Sequence, residues 1–92
     1  MTREIPDHVK AYGKSPIFSA QTVPAKLLDY HDVKSGTWGR LNVQAGEVRY
    51  FVVGNEEPLA TLHAGEFWAI LPEEKHYIQV SEDTVFFVEF CK

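Results

Sequence analysis

His31-Asp32-Val33-Lys34-Ser35-Gly36-Thr37-Trp38-Gly39-Arg40-Leu41 governs the architecture: a histidine, a Ser-Gly turn, then the start of a run, Thr37 to Gln44, in which apolar and polar side chains alternate. Period-two alternation marks a strand with one buried face, because successive side chains leave opposite sides of an extended chain. Gly39, Leu41 and Val43 fall on the side expected to face packed hydrocarbon, and Trp38, Arg40, Asn42 and Gln44 on the wetter one. A second stretch, from Gly65 through Pro72 to His76, again sets a glycine turn and a β-rich run beside a histidine. A small barrel would carry the two histidines on separate strands and bring them together inside it.

Outward from these stretches the same grammar continues. Strands are expected at Lys26–Tyr30, Thr37–Gln44, Val48–Val53, Pro58–Leu62, Glu66–Leu71, Tyr77–Val80 and Thr84–Phe90. Turn chemistry separates them at Ser35-Gly36, Ala45-Gly46-Glu47, Gly54 to Glu57, Ala64-Gly65, Pro72 to Lys75 and Ser81 to Asp83. Glu73-Glu74-Lys75 reads most simply as a solvated turn. No segment carries apolar residues at helical spacing, so the reading is an antiparallel sandwich or barrel. Residues 1–25 differ: Pro6, Pro16 and Pro24 cut them into an irregular leader, with one helical turn expected at Ile5–Val9 and an edge strand at Pro16–Ser19.

The 92 residues make one domain with a single modest core, and 45% hydrophobic against 24% charged residues is ordinary globular usage. The net charge of −4 gives no basic footprint for DNA or RNA. No run approaches the length of a membrane helix, which argues against a membrane partner. The single cysteine, Cys91, has no internal partner, and the amino terminus lacks a signal-peptide pattern, so the expected compartment is the reducing cytoplasm.

Three residues form the candidate metal site: His31, His76 and Glu89. His76 shares its side with Ile78 and Val80, and Glu89 sits in an apolar strand where a buried carboxylate asks for a partner. Arg40 or Lys34 would provide one as a salt bridge; a cation would provide another. Two imidazoles and a carboxylate with open positions suit zinc, iron, manganese or nickel. Lys34, Trp38 and Arg40 are candidates for a ligand pocket, His63 is a less secure further ligand, and Tyr50 and Trp68 are expected in the core or a pocket wall. Cys91 has little to recommend it as a nucleophile, and no glycine-rich phosphate loop is present.

The run from Ile5 to Lys34, the following SGTWGRLNVQAGEVRYF, the later GEFWAILPEEKHYIQV and the closing FFVEF together resemble the cupin-like tellurite-resistance domain family over nearly the whole chain. HDVKSGTWGRL and the Pro72-to-His76 turn carry the resemblance most specifically. It implies an all-β, single-domain cupin-like fold (a double-stranded β-helix or jelly-roll antiparallel barrel) over residues 1–92 with the leader packed on it, bacterial origin and a cytoplasmic location. Gly65, Pro72 and His76 would play the part of the second cupin motif, one residue short between proline and histidine. The first motif keeps His31 alone, with Gly39-Arg40 where a glutamate is usual. The family pattern favours His31, Lys34, Arg40, His76 and Glu89 as the pocket's polar groups and leaves His63 outside it.

The function expected is a small-molecule or metal-binding barrel, an accessory to oxyanion or metal stress. A small metal-dependent dioxygenase or isomerase is the first alternative. The second is a metal-free homodimer in which Lys34 and Arg40 grip a small anionic molecule. The methyltransferase portion of longer relatives is missing from these residues.

Overall fold

The computed structural model describes residues 3–92. Eight strands occur among them: β1 (Ala11–Lys14), β2 (Phe18–Ser19), β3 (Trp38–Ala45), β4 (Glu47–Val52), β5 (Ala60–His63), β6 (Phe67–Ile70), β7 (His76–Val80) and β8 (Val85–Cys91). The larger antiparallel sheet runs β1-β8-β3-β6, with β2 also on β8, and the smaller runs β5-β4-β7. The two sheets pack face to face as an all-β, cupin-like cup that no continuous ladder closes.

Alternation sets the core as expected. On β3, Leu41 and Val43 are buried inward and pair across to Val88 and Phe86 of β8. On β4 and β7, Val48, Tyr50 and Ile78 do the same from the facing sheet. Gly39 is buried opposite Ile70, and a Cβ there would stand 3.1 Å from the Ile70 side chain, so the missing methyl makes room for the larger neighbour. Gly46, between β3 and β4, has φ +73 and lies so close to Thr84 that a Cβ would meet its backbone at 2.7 Å.

The leader departs from expectation in detail. Pro6 to Val9 is a single turn, closed by the Val9 amide on the Pro6 carbonyl, and β1 is an edge strand with no apolar alternation to announce it. Between β1 and β2, Ser15 pairs with Val88 in both directions: its amide donates to the Val88 carbonyl at 2.7 Å, and its hydroxyl accepts the Val88 amide at 3.0 Å. The strand expected at Lys26–Tyr30 is instead a 3₁₀ turn, Ala25–Leu28. Adjacent Leu27 and Leu28 cannot both face inward from an extended chain; on the turn Leu27 packs against the core and Leu28 is exposed.

Candidate functional site

His31 and His76 meet. They form an isolated antiparallel bridge in which each backbone amide donates to the other's carbonyl at 2.9 Å. Opposed residues of an antiparallel pair project to the same side. Their rings accordingly lie edge to face with centroids 4.2 Å apart. Glu73, in the left-handed region at φ 61, donates its amide to the Val33 carbonyl and extends the clasp between the two stretches.

Each imidazole is pinned by its Nδ1. His76 Nδ1 is 2.7 Å from the Glu74 carbonyl oxygen, and His31 Nδ1 is 3.0 Å from that of Asp29. A carbonyl only accepts, so both Nδ1 atoms carry the proton. Among the described residues, neither Nε2 has a hydrogen-bond partner. Burial, the largest influence, pulls His76 below the ordinary imidazole value against the pull of the Glu74 carbonyl and carboxylate.

Behind His76 stands a polar network that the sequence reading missed. The Tyr50 ring stacks on His76 at 4.9 Å between centroids, and its hydroxyl donates to Glu74 Oε1 at 2.6 Å. Arg3 Nη2 donates to the same oxygen at 2.7 Å, while its Nε donates to the Ala69 carbonyl and its guanidinium lies 4.6 Å from the Trp68 ring centroid. Burial works to raise the Glu74 carboxyl, but hydrogen bonds from Arg3 and Tyr50, with the guanidinium charge, outweigh it and hold it below the usual range. Burial, then the Glu74 carboxylate, push the Tyr50 phenol far above its usual value, so it remains a donor. Glu74 is therefore no solvated turn residue. The available signal was Tyr50 itself: an inward tyrosine between Val48 and Val52 needs a partner for its hydroxyl.

A cavity of ≈ 500 Å³ opens beside the two histidines. Its walls are apolar, formed by Phe18, Leu27, Ile70, Val88 and Phe90 among others, with Asp32, Lys14 and Lys26 around it. Ser15 also lines it, but that hydroxyl is committed, donating to Pro16 O and accepting from Val88 N.

The remaining expected site residues lie elsewhere. Glu89 pairs in register with Arg40 on the outer face of the larger sheet, where its Oε1 accepts from Arg40 at 3.3 Å and from Asn42 at 3.0 Å. Its strand neighbours Val88 and Phe90 reach the cavity; alternation turns Glu89 away. The expected grouping of His31, His76 and Glu89 is not assembled, and among the described residues no three His, Cys, Asp or Glu side chains are placed to hold a metal ion. A three-ligand centre thus does not fit this donor set. Trp38 shares the outer face with Arg40 and is absent from the cavity wall. Lys34 is exposed in an adjoining groove that shares Asp32, Val33 and Phe90 with the cavity but is not itself a cavity residue. His63 is on the surface, 3.3 Å from Glu47 and 3.4 Å from Glu66.

Two facing antiparallel sheets, with a histidine pair beside a cavity walled largely by residues from 14–33 and by β6 and β8, define a small cupin-like domain. A family model described as TehB-like domain matches residues 13–88, and the chain belongs to that family. It is 30% identical to the proteins named "Uncharacterized protein YeaR" of Escherichia coli K12 and O157:H7, over 95% of this chain and 81% of each. A crystal structure of an E. coli K12 protein superposes with a TM-score of 0.83 at 31% identity, covering 97% of this chain and 95% of that one. TehB from Haemophilus influenzae shares the fold, with a TM-score of 0.73 at 22% identity over 90% of this chain and 31% of that chain. No helix among the described residues is long and apolar enough to cross a membrane.

Proposed function

We propose that this domain is a binding module that takes a small molecule into the cavity beside His31 and His76. One observation carries the reading: two imidazoles, pinned through Nδ1 with Nε2 unpartnered, stand at a largely apolar cavity of ≈ 500 Å³. Cavities of this size with a few convergent polar groups are the usual form of a ligand site. Binding is favoured over nucleophilic turnover, because the Ser15 hydroxyl is committed and Cys91 is buried on the strand face that carries Glu89. The buried free thiol also suits the reducing cytoplasm in which we place the protein.

The test is a fragment screen read by methyl NMR, with Leu27→Trp placing a larger side chain in the cavity wall. Ligands should shift the Leu27, Ile70 and Val88 methyls of the parent, and the Ile70 and Val88 shifts should be lost in the variant. Shifts confined to the outer face, or unchanged in Leu27→Trp, would remove the proposal. A divalent cation is the second reading, favoured by the paired imidazoles alone. Elemental analysis of protein purified without a metal-affinity tag checks it; no stoichiometric metal, and none regained on adding zinc, iron, manganese or nickel, disposes of it.

A further inference from the structure

We infer that the ligand of this cavity is a hydrogen-bond donor, a hydroxyl or amine on an apolar body, rather than an anion. The inference rests on the binding role proposed above and names the chemistry of the occupant. With both Nδ1 protons given to the carbonyls of Asp29 and Glu74, the uncharged form of each ring presents only an Nε2 lone pair. Asp32, next to His31 in the chain and also among the residues lining the cavity, brings a carboxylate, a further acceptor. Ser15 has no proton to spare, since its hydroxyl donates to Pro16 O. Among the uncommitted side chains that line the cavity, both histidines and Asp32 therefore accept, and the donors are the Lys14 and Lys26 ammonium groups.

The cationic groups do not reverse this. Lys14 holds its ammonium 5.8 Å from the Phe87 ring, and Phe87 belongs to the outer face of β8. Lys26 is an exposed residue of the 3₁₀ turn. Arg40 and Lys34, the grips an anion would use, stand outside the cavity. An oxyanion brought to the histidines would set lone pairs against lone pairs, whereas an O–H or N–H would satisfy acceptors that otherwise lose their water partners.

A matched probe series in chelator-treated buffer tests this: 4-methylphenol and benzylamine as donors, 4-methylanisole as acceptor, 4-methylbenzoate as anion and toluene as the bare body. Affinities are read by titrating the Ile70 and Val88 methyl signals. At least one donor should bind tenfold or more tightly than the ether, the carboxylate and toluene, and the two donor arms separate hydroxyl from amine recognition. Ether or carboxylate binding as tight as the better donor overturns the inference and leaves the cavity reading standing. So does carboxylate binding that appears only on adding a divalent cation. If no probe, toluene included, moves the cavity methyls, the binding role itself fails and the inference with it. His31→Phe should level the series while keeping toluene binding. Should that variant not fold, ¹⁵N spectra of the parent imidazoles decide: a proton on either Nε2 with Nδ1 bare refutes the argument.

Discussion

Tyr50→Phe removes one oxygen from the most buried part of the site and leaves the ring that stacks on His76 in place. In the parent that hydroxyl donates to Glu74 Oε1 at 2.6 Å from a fully buried residue, and Arg3 shares the same acceptor. A hydrogen bond to a charged group contributes about 1.5–3 kcal/mol, so the expected loss is about 2 kcal/mol at neutral pH. For a domain of this size that corresponds to a fall in Tm of about 10 °C. The penalty should depend on pH. Glu74 is held below the ordinary glutamate value of 4.5, so its contribution is complete above that value and is lost as pH falls through the lower folded value. Tyr50→Phe removes one cause of that lowering, and the gap between variant and parent should narrow below pH 4.5. Urea denaturation across this range, with unchanged m, measures it. A loss under about 0.5 kcal/mol at pH 7, or a penalty that widens on acidification, would refute the reasoning.

Other substitutions probe the remaining geometry. Gly46→Ala must place a Cβ against the Thr84 backbone at positive φ and should cost about 3 kcal/mol, whereas Gly65→Ala, at φ +88 with open space, should cost about 1 kcal/mol in the same urea assay. Glu89→Gln should change stability by no more than about 1 kcal/mol, because its pair with Arg40 is part-exposed, and should leave the cavity titrations unaltered. Loss of cavity binding in that variant would contradict the outward placement of Glu89. Burial raises the Cys91 thiol above its ordinary range, so a thiol reagent should label native protein far more slowly than protein in urea; equal rates would show that the end of β8 is open.

The inward faces of β3, β7 and β8 follow from alternation, and parity along β8 already put Glu89 on the side of Val85 and Phe87 rather than Phe86 and Val88. Parity within one strand does not say which face looks onto a histidine of another. That depended on register, with Arg40 opposite Glu89 and His31 opposite His76. β1 escaped the sequence reading because an exposed edge strand needs no buried face, and the 3₁₀ turn because Leu27-Leu28 imitates a short strand.

Composition, turn residues and period-two patterning by themselves determined an all-β domain, its main strands and the burial of His76, since these depend on neighbours along the chain. The sequence also led one to expect His31 to meet His76; tertiary structure alone decided that Glu74 would join Arg3 and Tyr50 behind them and that Glu89 would stay with Arg40. Those pairings join residues remote in sequence, whose approach is set by ladder register and by the need of buried polar atoms for partners.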